Sequence, residues 1–265
     1  MCIEFSVGRG GRNAMSDVAA VQILLNQNRK LLPQPLPKAL KVDGRIGTNT
    51  IERIEIFERA VMGLPNSDGL IAPDDATLRM MLGNLPKGPS KEKLAIVLPL
   101  ALESKIDLYF PSLKASMVKY NITSPLQMAH FIAQVGHESA SFLYSEEIAS
   151  GAAYEGRKDL GNFKKGDGVL YKGRGLIQIT GRFNYRDYSK FTGNKYLEQP
   201  ELLSQNPDVA VDSACWFWVS RELPKLAEAD DVKAVTKRIN GGYNGLDDRI
   251  QNLRRAKALL AFETA

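Results

Sequence analysis

Between Gly83 and Lys93 the chain carries two glycines, two prolines and three lysines, and its one large apolar side chain is Leu85. Proline fixes φ and removes a backbone donor, so such a stretch can neither continue a helical stripe nor fill a sheet interior. It divides the 265 residues into a short first part, 1–83, a linker, 84–93, and a longer second part, 94–265. A part as short as the first buries little core, which suits a binding module better than a catalytic one.

The first part carries three helical patterns. Ser16 or Asp17 can cap a helix with Val18, Val21, Leu24 and Leu25 at helical spacing. Pro33, Pro35 and Pro37 follow it, then an Asp-Gly turn at Val42-Asp-Gly-Arg-Ile-Gly47. Thr48 or Thr50 can cap the next helix, with Ile51, Ile54, Phe57 and Val61 on one face. A second Asp-Gly turn, Ser67-Asp-Gly-Leu-Ile-Ala72, precedes a short helix that Asp74 or Asp75 can cap. The turn-helix unit is thus used twice.

In the second part, Thr123–Phe142 is the informative segment. Ser124 suits an N-cap, Pro125 the first helical position, and Gln127 a capping box. Met128, Phe131, Val135 and Phe142 recur at spacings of three, four and seven, and Glu138 fills the gap in that stripe near the helix end. Burial disfavours a charged carboxylate, and the negative end of the helix dipole acts in the same sense. A carboxyl that keeps its proton near neutral pH is what protonation of a glycosidic oxygen requires.

Other chemistries fit poorly. His137-Glu138 lacks the second histidine of a zinc protease helix, because Ser141 stands there. His130 and His137 are two turns apart, about 10.5 Å of rise, too far to share one ion. No metal or cofactor is therefore expected. His137 reads as a local hydrogen-bonding partner and His130 as a helix-face residue. Gly173 and Gly175 complete no dinucleotide fingerprint, and there is no P-loop. Cys2 and Cys215 are read as thiols.

Downstream, Gln178 and Thr180 would share one face of an extended segment, with Asn184 just beyond. Ile239–Arg249 sets Asn240 and Asn244 among glycines, where a backbone can approach a sugar. Of the net charge of +5, residues 156–195 concentrate ten Lys/Arg against three Asp. This basic run suits an anionic wall polymer or lipid surface. No nucleic-acid motif encloses its tyrosines, so no nucleic-acid partner is expected.

Two resemblances join these pieces. Asp17-Val18, Leu24-Leu-Asn26, Val42–Thr50, Phe57 and Asp68-Gly-Leu-Ile71 resemble the small three-helix peptidoglycan-binding domain of cell-wall hydrolases, over roughly 14–83. His137-Glu-Ser139, Tyr171–Gly181, Asn184-Tyr185, Ile239–Gly245 and Asp247-Asp-Arg249 resemble glycoside hydrolase family 19, over nearly all of 94–262. That family includes chitinases and, closer to this pattern, lysozyme-like phage endolysins. The resemblance implies a mainly α-helical, lysozyme-like catalytic domain.

It also implies roles. Glu138 would be the general acid, and Gln178, Thr180, Asn184 and Asn240 would line the sugar cleft, Thr180 helping to hold the attacking water. Arg249 would support the carboxylates, and His137 would join the substrate-binding set. The endolysin branch points to Glu147 as base, with Glu146 and Glu155 open. The expected activity is inverting hydrolysis of the β-1,4 bond between N-acetylmuramic acid and N-acetylglucosamine in peptidoglycan. A chitinase is the alternative, and a non-catalytic wall-binding or phage structural protein the second. The N-terminus has no signal-peptide pattern and no 18-residue apolar run follows. The expectation is a cytoplasmic start, release through a phage holin or an equivalent, then action in the periplasm or cell wall.

Overall fold

A computed structural model of the protein describes residues 1–261. Thirteen α-helices, three short 3-10 helices and one two-stranded antiparallel sheet form the regular structure among these residues, so the fold is mainly α-helical. The chain forms two compact units. One is residues 1–100 with the C-terminal helix from Gln251, and the other is residues 101–250.

In the first unit, α1 (Met15–Gln27) buries Val18, Val21, Leu24 and Leu25, as its spacing predicts. Its N-cap is Ala14, and neither Ser16 nor Asp17 caps it. Asp17 is buried instead, and its Oδ2 accepts from the backbone N–H groups of Glu4 (3.1 Å) and Phe5 (2.9 Å). Those donors supply what burial of a carboxylate demands.

Helix α2 (Thr48–Ala60) buries Ile54 and Phe57. Its N-cap is Gly47, which has no side chain to offer, and Thr48 and Thr50 lie inside the helix, Thr50 Oγ1 accepting from Gln22 Nε2 of α1 at 3.3 Å. Gln22 also accepts from the backbone N–H groups of Asp43 (3.1 Å) and Gly44 (3.0 Å), tying the first Asp-Gly turn to α1. The second turn feeds a strand: β1 (Val7–Gly8) pairs with β2 (Leu70–Ile71), Val7 opposite Ile71. Asp75 caps α3 (Ala76–Gly83) through the Thr77 N–H, at 2.5 Å.

The stretch 84–93 does not divide the units. Ser90 caps α4 (Lys91–Val97), which buries Leu94, Ile96 and Val97 within the first unit. The cap and three apolar residues outweigh the lysines around them.

The second unit contains α5 (Glu103–Lys119), α6 (Pro125–Glu138), α7 (Asp167–Leu170), α8 (Arg182–Thr192), α9 (Leu202–Gln205), α10 (Pro207–Ser220), α11 (Leu223–Glu228) and α12 (Val232–Asn240). Its core includes Phe131 of α6 packed edge-on against Trp218 of α10, ring centroids 5.4 Å apart. The last helix, α13 (Leu246–Ala261), gives its first residues to this unit and the rest to the first. There Leu253, Ala256, Leu259 and Leu260 are buried, and Arg255 pairs with Asp17 at 3.3 Å, each 2% exposed.

Candidate active site

Helix α6 begins as its sequence predicts. Ser124 accepts from the Gln127 N–H at 3.1 Å and Pro125 takes the first position. The reciprocal half of the capping box does not form, because Gln127 Nε2 donates to Glu228 at 2.8 Å. Glu138 is the last helical residue. Beyond it Ala140, Ser141 and Phe142 all have positive φ, 48°, 58° and 67°. Left-handed backbone costs a non-glycine residue roughly 1–2 kcal/mol. Ser139 holds this turn, its hydroxyl donating to the Val135 carbonyl and accepting from the Phe142 N–H. Phe142 is buried against Tyr109. Strain held by surrounding contacts is common at functional sites.

Glu138 is not enclosed by apolar groups, as its place in the stripe suggested. Its side chain is 15% exposed and accepts from Arg249 Nη2 at 2.5 Å. The Arg249 side chain is fully buried. It also donates to Gln134 Oε1 and to the Asn244 carbonyl. Gln134 in turn donates to Thr236 Oγ1 at 3.3 Å. Arg249 Nη2 and Glu138 Oε1 thus hold each other in place through a charge-assisted hydrogen bond. Arg249 therefore has a supporting position beside Glu138. Beside them, His137 Nδ1 meets Asp248 Oδ2 at 2.7 Å, and its ring lies on Gly245. A Cβ at Gly245 would come within 2.0 Å of that ring.

Glu147 is held by a second group of residues. Its Oε1 accepts from Tyr154 Oη at 3.0 Å and its Oε2 from the Gly173 N–H at 3.1 Å. Burial and the Glu147 carboxylate together push the Tyr154 hydroxyl pKa up. Gly173 is a crossing point. A Cβ there would lie 2.8 Å from Gln178 Oε1, 3.2 Å from Glu147 Oε2 and 3.3 Å from Thr180 Oγ1. Gln178 and Thr180 thus join Glu147, but not along an extended segment. Arg174 pairs with Ile179 across a tight turn in which Gln178 has φ 58°. Asn184, on the first turn of α8, donates to the Thr180 carbonyl at 2.8 Å and accepts from Arg221 at 2.8 Å. Asn240 is exposed at the end of α12 and takes no part in these hydrogen bonds.

The other two candidate bases are bonded differently. Glu155 is exposed and accepts from the Gly166 N–H at 2.9 Å. Glu146 contacts Lys172 Nζ at 3.0 Å, Arg174 at 3.3 Å and Ser204 Oγ at 3.1 Å. Burial pushes its pKa up, but the Lys172 hydrogen bond, the Arg174 charge and Ser204 outweigh that and lower it. A glutamate more acidic when folded stabilises the fold fully above the unfolded value, about 4.3, and this is lost as pH falls through the folded value. Glu146→Gln should therefore destabilise the fold at neutral pH and lower Tm, with a loss of no more than about 1 kcal/mol because the side chain is 39% exposed. The difference from wild type should close as pH drops below about 4. Thermal melts of both proteins across that range test this, and a Tm difference that grows in acid would contradict it.

Sequence reasoning missed Gln134 and Tyr154. Gln134 lies one turn before Glu138 and is a polar residue in the buried stretch of α6, a readable sign. Tyr154 lies in an irregular loop and offered none. His130 is buried with Asp230 at 2.9 Å, not on an open helix face. In the basic run, Arg157, Arg182 and Arg186 pair with Asp159, Asp167 and Asp187, and Lys172 and Arg174 with Glu146. Half of its ten cations thus serve local structure. Among the described residues no helix is long and apolar enough to cross a membrane.

With known proteins, the sequence profile described as "Chitinase class I" matches residues 121–241. A Haemophilus influenzae protein described as glycosyl hydrolase family 19 domain-containing is 35% identical over 176 residues, 55% of this chain and 86% of that one. An Arabidopsis thaliana endochitinase is 40% identical over 116 residues, 44% of this chain, and the match spans only 40% of the plant protein. Chitinase C of Streptomyces griseus shares the fold, with a TM-score of 0.54 at 21% identity, over 65% of this chain and 92% of that one. A bacterial family 19 chitinase gives a TM-score of 0.52 at 24% identity, over 64% and 94%.

Proposed function

This chain belongs to glycoside hydrolase family 19, and from that membership we propose that it is a peptidoglycan hydrolase acting by a two-carboxylate, inverting mechanism. The observation that carries the chemistry is a pair of partly exposed carboxylates, each held by donors: Glu138 by Arg249, 111 positions on, and Glu147 by Tyr154 and Gly173, 7 and 26 positions on. Arg249 engages Oε1 of Glu138, leaving Oε2 to carry the proton that goes to the glycosidic oxygen. Glu147 takes a proton from water, and that water attacks the anomeric carbon from the opposite face as the bond to the leaving oxygen breaks. Thr180 and Gln178, grouped with Glu147 about Gly173, are suited to position that water and the adjoining sugar.

The choice of peptidoglycan rests on the first unit. Its two Asp-Gly turn and helix patterns resemble a peptidoglycan-binding domain, and such a module concentrates an enzyme on its polymer without changing turnover. A chitinase is the second reading, favoured by the endochitinase relatives, 40% and 39% identical over 116 residues. Digestion of purified sacculi and of chitin oligomers, read by mass spectrometry, separates the two. We expect disaccharide-peptides with a new reducing end on N-acetylmuramic acid. Cleavage of chitin oligomers with intact sacculi would establish the chitinase instead, and cut stem peptides would exclude both.

A further inference from the structure

A groove of about 700 Å³ lies in the second unit between α5, the end of α8 and the start of α10. None of the catalytic or cleft residues named above lines it. Phe191, which does, sits seven residues along α8 from Asn184, about 10.5 Å of helix rise. Phe191 is 58% exposed, yet its ring is held in place. It stacks on Tyr120, centroids 6.0 Å apart and planes at 27°. Tyr120 is fixed in turn, its Oη donating to Asp212 Oδ1 at 2.8 Å. Phe191 thus offers solvent a pre-positioned aromatic surface beside the groove.

The polar groups around that ring are acceptors. Lys119, the cation that lines the groove, is committed to Asp212, whose other oxygen also accepts from Tyr188 at 2.7 Å. Asn194 donates through Nδ2 to Tyr196 Oη at 3.3 Å, and its Oδ1 accepts no hydrogen bond among the described residues. Asp208 accepts from Ser112 through Oδ1, and its Oδ2 likewise has no partner among them. Both residues are exposed, so a ligand can reach these oxygens. An anion would meet Asp208 and a cation already paired. A neutral ligand with donors round its edge and C–H groups on its face fits better. A pyranose is built that way, and an N-acetylated one adds an amide N–H. Its C–H groups suit the negative face of an aromatic ring, and an aromatic surface with a few placed polar groups is the usual make-up of a small-ligand site.

We infer that this groove is a second sugar-binding site outside the catalytic cleft, in which an N-acetylhexosamine of the polymer stacks on Phe191 and donates to Asn194 and Asp208. It rests on the family membership and on neither choice of polymer, because peptidoglycan and chitin both contain N-acetylglucosamine. Such a contact keeps an insoluble polymer beside the cleft and leaves the chemical step as it is.

The full chain carrying Glu138→Gln, which keeps the ligand intact, is titrated with an N-acetylglucosamine tetramer and followed by amide NMR. The signals of Lys119, Phe191 and Asn194 should move, with a midpoint of their own, distinct from that of Gly173 and Thr180 in the cleft. Adding Phe191→Ala should weaken the groove midpoint by roughly three- to tenfold, the scale of a lost aromatic contact, and leave the cleft midpoint unchanged. Asn194→Ala should act in the same direction. With Glu138 restored, Phe191→Ala should cleave the soluble tetramer at the wild-type rate but bind and cleave the insoluble polymer several-fold less well at low loading. Groove signals that stay still across the titration overturn the proposal, and that arm needs no further variant to fold. So does a groove that responds to a sugar-free stem peptide and not to the tetramer. Unchanged groove affinity in a Phe191→Ala protein that melts like its parent overturns it as well. Cleavage of chitin with sacculi left intact would sink the peptidoglycan reading alone, because the groove titration uses a sugar common to both polymers.

Discussion

Glu138→Gln should reduce hydrolysis by about 10²–10⁴-fold, the scale of lost acid catalysis, while the protein stays folded. The amide is isosteric and its oxygen can still accept from Arg249 Nη2, so the Arg249, Gln134 and Thr236 hydrogen bonds have no reason to break. What is lost is the proton for the leaving oxygen. Glu147→Gln should come close to the same defect, because an amide cannot take a proton from the attacking water. Glu146→Gln and Glu155→Gln should keep most activity, since Glu146 is bonded to Lys172, Arg174 and Ser204, and Glu155 to a backbone N–H. Reducing-end release from sacculi, alongside circular dichroism melts, measures all four. Near-normal turnover by a folded Glu138→Gln protein would end its assignment as the acid. A larger loss in Glu146→Gln than in Glu147→Gln would move the base to Glu146.

Deleting residues 1–88 should destabilise what remains, not release an independent catalytic part. The deletion removes Asp17, leaving Arg255 without the carboxylate that pairs with it, and removes Glu4, the partner of Arg254 at 2.7 Å. Loss of one partner from a buried pair costs about 3–5 kcal/mol. Even the charge pair alone corresponds to a Tm drop on the order of 10 °C for a chain of this size. Arg249 precedes Arg255 by six residues on the same helix, so fraying of α13 also loosens the support of Glu138. Differential scanning calorimetry and sedimentation of the truncated chain give the answer. A Tm within a few degrees of full length, with activity on soluble wall fragments intact, would contradict this account.

Sequence and structure divide the explanation along a physical line. Features that depend on neighbours three or four residues away were legible in the sequence where no distant partner competed for the side chain. Helix α6 with its Ser124 cap and Pro125, the place of Glu138 near its end, the buried face of α1 and a cap for α3 at Asp74 or Asp75, which the structure resolves to Asp75, all rest on local hydrogen bonds and helical spacing. Family motifs supplied Arg249, Gln178 and Thr180 as names, without a geometry. Local rules misled where a polar side chain had a better distant partner. Asp17 and Thr50 left their expected caps for the Glu4 and Phe5 backbone and for Gln22, and Gln127 turned to Glu228.

Only the tertiary structure decided what meets across the chain. Arg249 reaches Glu138 across 111 positions, Gly173 and Tyr154 fix Glu147, and α13 returns to the first unit through Arg255 and Asp17. The stretch 84–93 carries every local mark of a linker, yet its end forms α4, because three buried side chains outweigh composition. Burial and charge pairing act through space, and spacing along a chain holds no record of which distant segments the fold will bring together.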